Sequence, residues 1–259
     1  MKIYIAMQDI YKEGSIGLRI LKNEFLSLGF ECEFFVWQEY ENLKDCVILP
    51  LGVWDYSLKV DEFLRFLDFC ELNNIILINN TKLIRKNLDK SYLLDIKDAV
   101  KSNIVDIKDI KLKPNQIIKP LIGQSGNGVA RFNDDINLQF YKDKALIQEY
   151  INHDSEACLV FFEGAYQYSI LRTKNNDFRA NYNYGVKIDD FNPSDELISL
   201  ASKYIPKDSF YARCDIFLAD RFYINEIECI EPALYFDKKP EFASIFANKM
   251  KKYLNSLKI

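Results

Sequence analysis

The run "CVILPLG", Cys46 to Gly52, constrains the fold of this chain more than any other short stretch. It is apolar throughout and has no face to give to water. A strand of that kind belongs inside a parallel sheet covered on both sides. Parallel strands need crossover connections, usually helices, and the neighbouring sequence supplies them. "KIYIAM" reads as an opening strand. Ile16, Ile20, Leu21 and Leu28 then recur at helical spacing, with Gly29 as a C-terminal stop. "ECEFFVW" is a second strand, and Val60, Phe63, Leu64, Leu67 and Cys70 mark an amphipathic helix from Val60 to Leu72. "IILINN" is a further short buried strand. The alternation up to about residue 80 predicts a small doubly wound α/β domain.

From about Asp89 the pattern changes. "DKSYLLDIKDAV" reads as helical, whereas "IVDIKDI" and "NQIIKPL" read as strands that lead into a glycine-rich turn. After "ALIQEYI" come the strand-like runs "ACLVFFEG", "AYQYSILR", "ARCDIFLA" and "RFYINEIECI". "PSDELISLASKYI" offers a helix with an Asp/Ser capping site, and "EFASIFANKMKKYLNSL" a closing amphipathic helix. The predicted division is an N-terminal α/β domain over 1–88, a small lobe over 89–148 carrying the glycine turn, and a C-terminal lobe over 149–259.

Composition narrows the functional classes. With 259 residues and 49% hydrophobic content, the chain can bury a large core. A formal charge of −4 argues against a general nucleic-acid binder. No apolar run reaches membrane-spanning length, and Asp9 interrupts the start before a signal-like core can form; a cytoplasmic protein is expected. None of the six cysteines forms a CxxC pair, so buried thiols are favoured over a zinc site or disulfides. With His153 as the single histidine, a histidine-based metal cluster or a Ser-His-Asp triad is nearly excluded.

Two stretches carry chemistry. In "IIKPLIGQSGNGVARF", strand-like pieces flank Gly123, Gly126 and Gly128, with Gln124, Ser125 and Asn127 between them. Glycines there permit positive φ and let backbone N–H groups approach an anion, and Lys119 on the entering strand adds a point charge. An ordinary hairpin has the same outline. No GK[ST] follows and the loop leads into a strand, which excludes a Walker loop and a dinucleotide fingerprint. The second stretch is "INEIECIEPALYF". Strand alternation puts Glu226 and Glu228 on one face, where two carboxylates repel unless a cation meets them.

The order of these features resembles the ATP-grasp superfamily of carboxylate–amine ligases: Lys90 after a helix-opening Asp, Lys119 before the glycine loop, "LIQEYI", then the acidic strand. The likeness covers nearly the whole chain. It is nearest to the branch holding ribosomal-protein glutamate ligases, prokaryotic glutathione synthetases and cycloserine ligase. There a segment "R…DFRxN…G" precedes a "D…ExN" metal motif; here the matching residues are Arg172, "NDFRANYNYG", Asp215, Glu226 and Glu228. Glu228 replaces the Asn of many relatives, and Val186 stands where relatives often have a second glycine.

The resemblance implies an ATP-grasp fold behind an N-terminal α/β domain, and ligation of a small-molecule or peptide carboxylate to an amine through an acylphosphate. It assigns magnesium, as two ions with manganese as a substitute, to Asp215, Glu226 and Glu228. It assigns the nucleotide phosphates to Lys90, Lys119 and the loop residues Gly123, Gln124, Ser125, Gly126 and Gly128. Adenine falls to Gln148, Glu149, Tyr150 and Ile151, and ribose to Glu156. Arg179 and Asn181 would hold the transferring groups, with Arg172 and Arg213 as further catalytic candidates. A kinase-like or thiol-ligating variant and a nucleotide-binding module without turnover stay open, as does homo-oligomerisation.

Overall fold

The structure, a computed structural model, describes residues 2–257. By their contacts these form two compact units. One runs to Lys82 and takes up the chain again from Ile230; the other is Leu83–Cys229. The closing helix therefore groups with the N-terminal strands, whereas the sequence reading had attached it to the lobe from 149.

In the first unit, β1 (Lys2–Met7), β2 (Glu31–Val36), β3 (Cys46–Gly52) and β4 (Ile76–Leu77) make a four-stranded parallel sheet in the order β2-β1-β3-β4. Every residue of β3 is buried, as its two-sided apolarity requires. The crossovers are α1 (Ile16–Ser27) and α2 (Val60–Leu72). The Ser15 hydroxyl caps α1 by accepting from the Leu18 N–H, and Gly29 follows it at φ 86°. The amphipathic face of α2 buries Phe63, Phe66, Leu67 and Cys70. The last helix, α5 (Glu241–Ser256), packs on α1, with the Phe25 and Phe246 rings edge to face at 6.4 Å. The helix buries Ala243, Phe246, Ala247, Met250 and Leu254, and its contacts group the C-terminal segment with this unit.

The second unit begins within α3 (Thr81–Leu88) and holds two antiparallel sheets. The smaller contains β5 (Ser102–Asp106), β6 (Gln116–Pro120), β7 (Ala130–Arg131) and β8 (Lys144–Glu149), in the order β5-β8-β6-β7. The larger contains β9 (Ser155–Phe162), β10 (Ala165–Thr173), β11 (Lys187–Asp190), β12 (Tyr211–Leu218) and β13 (Phe222–Glu228), in the order β11-β10-β9-β12-β13. One face of the larger sheet buries Ala157, Leu159, Phe161, Ala212, Cys214 and Ile216 with Leu197 and Ala201 of α4 (Asp195–Ser202). Strand alternation then sends Glu156, Arg213, Asp215 and Phe217 to the opposite face.

"DKSYLLDIKDAV" departs from its helical reading. Only a 3₁₀ turn, Lys90–Asp95, forms there. Tertiary pairing overrides local propensity: the Lys90 N–H donates to the Leu121 carbonyl. Beyond the turn, Asp98 and Val100 bond the edge of β13, accepting from the Ile224 N–H and donating to its carbonyl. Asn87 and Tyr92 side chains brace the same edge at Ile227 and Cys229, so the edge strand is covered.

Candidate active site

The site grows from a one-residue irregularity. β12 and β13 pair Asp215 with Glu226 and Arg213 with Glu228, but Ile216 faces Ile224, so Asn225 is the extra residue of a β-bulge. The bulge turns Asn225 toward the same cluster as Glu226. Its Nδ2 donates to Glu156 Oε1 at 2.7 Å, and its Oδ1 accepts from Lys119 Nζ at 2.7 Å. Sequence alternation had given no sign of this residue.

The polar face is a charge-matched network. Arg172 Nη2 donates to Glu156 Oε2 at 2.7 Å and to Asp215 Oδ2 at 2.6 Å. Arg213 grips Asp215 through Nε and Nη2 at 2.7 and 2.8 Å, and its Nη2 also reaches Glu228. Lys90 donates to Glu226 and, at 2.8 Å, to the carbonyl of Gly123 in the glycine loop. Three cations thus meet four carboxylates directly, and Lys119 joins the cluster through the Asn225 amide. The Arg172, Arg213 and Asp215 side chains are 8%, 3% and 2% exposed, while Glu226 and Glu228 keep 24% each.

Burial would raise the Asp215 carboxyl, but the Arg172 and Arg213 guanidiniums overcome it and hold the group well below the usual carboxylate range. For Glu228 burial wins over Arg213 and pushes the carboxyl up to about 7. Burial also lowers Lys119 to about 8, against the pull of Glu226.

The glycine loop joins β6 to β7 as an antiparallel turn with Ser125, Gly126 and Gly128 at φ 55°, 72° and 72°. At Gly126 a Cβ would lie 2.6 Å from Asn181 Oδ1, so only glycine permits that approach. The side-chain amide of Gln124 is buried with no hydrogen-bond partner. Asn181 and Arg179 therefore sit against this loop, outside the β12–β13 network; Arg179 Nη1 reaches the Val129 carbonyl at 3.3 Å.

The remaining expected residues are placed as follows. Gln148 is fully buried, donating from Nε2 to Ser102 Oγ while its Oε1 has no partner. Glu149 points outward near Lys101, and its N–H and that of Tyr150 are taken by Lys101 and Asn115 carbonyls. The Ile151 carbonyl accepts from His153 Nδ1, whose ring stacks on Phe217 at 3.9 Å. Glu156, expected at the ribose, is 3% exposed, and its two oxygens accept from Arg172 and Asn225. The expectation of two bare carboxylates on β13 is corrected: Glu226 and Glu228 each face an internal cation. Among the described residues, no three acidic, thiol or imidazole groups form a ready metal cage, and no helix is long and apolar enough to cross a membrane.

The RimK-like ATP-grasp domain family matches residues 76–231, which carry the whole network. The chain belongs to that family. It is an ATP-grasp enzyme, an ATP-dependent ligase of carboxylates and amines. Among solved structures this ATP-grasp chain is similar to a D-cycloserine synthetase at 16% identity, TM-score 0.81, covering 98% of this chain and 100% of that one. It is similar to D-alanine–D-alanine ligase from Bacillus anthracis at 17% identity, TM-score 0.64, covering 97% and 95%. A macrocyclase bound with its precursor peptide, from Microcystis aeruginosa, matches at 10% identity, TM-score 0.62, covering 96% and 100%. These likenesses establish the fold. The comparison with curated proteins gave no match.

Proposed function

We propose that the β12–β13 network is the centre at which this ligase activates a carboxylate as an acylphosphate and passes the acyl group to an amine, releasing ADP and phosphate. The observation that supports it is the internal neutralisation of the network. The cations suited to phosphate (Lys90, Lys119, Arg213) are held by the oxygen donors suited to a metal or its neighbours (Glu226, Asn225, Glu228). A nucleotide and its metal can replace each internal partner without leaving a buried charge unpaired.

The donor set fits magnesium. Mg²⁺ is commonly held by one or two carboxylates together with phosphate oxygens, so no protein cage is required. Glu226 and Glu228, each 24% exposed, can turn to it; Asp215, fixed between two guanidiniums, would supply at most one oxygen. When bound, the metal would neutralise charge on the transferring phosphoryl group. Two ions, or manganese in their place, would use the same three carboxylates.

The chain's own groups do the rest. Lys90 and Lys119 would bind phosphate oxygens under the glycine loop, whose Gln124 amide is free to donate. Arg213 would face the group in transfer, its geometry set by Asp215. Gln148 Oε1, buried and unpaired, would accept from an adenine amine. Phosphoryl transfer needs positioning and charge compensation more than covalent help, which a site without a catalytic Cys or His can give.

A screen of ADP release over amino acids, short acids and short peptides, with and without amine acceptors, tests the proposal. With an active acid labelled with ¹⁸O in its carboxylate, one label should appear in the released phosphate. ADP formation without that transfer would refute the acylphosphate route.

A further inference from the structure

We propose that Asp177 is a positioning residue that presents the Arg179 guanidinium, already oriented, to the oxyanion in transfer; this rests on the ligase reading above. A guanidinium offers five N–H groups along two forked edges. Asp177 occupies one edge completely: its Oδ1 accepts from Arg179 Nε at 2.9 Å and its Oδ2 from Nη2 at 2.9 Å. Oδ1 also accepts the backbone N–H of Arg179 at 2.8 Å, which fixes the carboxylate before it fixes the arginine. The Tyr184 ring centroid lies 3.6 Å from the guanidinium carbon and covers one flat face. The contact of Nη1 with the Val129 carbonyl, at 3.3 Å, is long for a hydrogen bond.

What remains is one N–H on each terminal nitrogen without a partner. Two such donors on a planar group suit a carboxylate or phosphoryl oxyanion bound by two hydrogen bonds. Arg179 lines a cavity of about 340 Å³ together with Val129, Arg131, Asp134, Asn176 and Asp177, enough for a substrate of amino-acid size. The side chains of Asp177 and Arg179 are 27% and 21% exposed, so the pair stands at the cavity wall and not in the core. An arginine without Asp177 keeps its charge but must lose its rotamer freedom when the ligand arrives; with Asp177 that freedom is already gone. Asp177 acts through Arg179 and need not touch substrate.

The test needs no knowledge of the substrate. Magnesium ADP is added to the protein, then aluminium fluoride as a stand-in for the phosphoryl group in transfer, and the melting temperature is read at each stage. The wild type should rise with magnesium ADP and rise again with fluoroaluminate. Asp177→Ala and Asp177→Asn should keep the first rise and lose most of the second. Asp177→Glu, which retains a carboxylate fork, should recover part of it. In an Arg179→Ala background, adding Asp177→Ala should remove nothing more, because the aspartate has no arginine left to hold. The proposal is overturned if Asp177→Ala keeps the second rise, if the wild type shows none, or if the two substitutions add. Absence of any rise with magnesium ADP alone overturns the ligase reading itself, and the positioning role with it.

Discussion

Replacing Glu226 by Gln separates the ligand-free role of this residue from its role with metal. Without ligand, Glu226 is an anionic partner of Lys90, whose ammonium also donates to the Gly123 carbonyl. The side chains are 24% and 11% exposed, between a surface pair and a core pair. Breaking a buried pair costs about 3–5 kcal/mol and an exposed one about 0–1. The amide oxygen of Gln still accepts from the ammonium, so a loss of about 1–2 kcal/mol is expected. Loss of one negative charge beside Glu228 and Asp215 offsets part of this but does not reverse it, because those carboxylates have their own arginines. The assay is urea unfolding in EDTA, with m compared between variants so that a midpoint change reads as stability. Metal-free ATP should bind Glu226→Gln more tightly than wild type, since Lys90 no longer has a charged competitor, while magnesium ATP should bind it more weakly. A variant at least as stable as wild type in EDTA would refute the reasoning: the carboxylates would then repel one another and Lys90 would not be a partner.

Two further outcomes follow from single groups. His153 is buried and its ring is lowered to about 4, by desolvation against the Ile151 carbonyl. The unfolded chain therefore takes up a proton between about pH 6.5 and 4 that the folded chain refuses, and stability from this group, present above about 6.5, is lost as pH falls. At about 1.4 kcal/mol per unit this approaches ~3 kcal/mol; His153→Gln should flatten the urea-midpoint profile in that window, and parallel profiles would contradict it. Gly126→Ala would place a methyl 2.6 Å from Asn181 Oδ1 at φ 72°. The free protein should lose about 1–2 kcal/mol, while calorimetry should show about tenfold weaker magnesium ADP binding, or about 1.4 kcal/mol; unchanged affinity would detach the loop from the nucleotide site.

Much of this was legible in the residues. The two-sided apolarity of "CVILPLG" fixed a buried parallel strand because burial on both faces leaves no alternative. Glycines at 126 and 128 announced positive φ, and the spacing of Glu226 and Glu228 announced a common face. What stayed hidden depends on register and on distant partners. A bulge adds one residue to one strand and leaves no mark in an alternating pattern, so Asn225 went unseen. Glu156 was assigned to ribose by resemblance, and nothing local reveals that Arg172 on the neighbouring strand will pair with it. The segment after Asp89 has helical composition, yet Lys90, Asp98 and Val100 spend their backbone hydrogen bonds on remote strands. The pairing of Asp177 with Arg179 spans only two residues, but its fork geometry is a property of the folded turn.

The central claim is that the β12–β13 network trades its internal partners for nucleotide and metal together. Titration calorimetry of ADP into the wild-type protein, with magnesium and then with EDTA, tests it most directly. One site per chain, tight with magnesium and at least tenfold weaker without it, is the predicted result. Equal binding in EDTA, or none under either condition, would contradict the account.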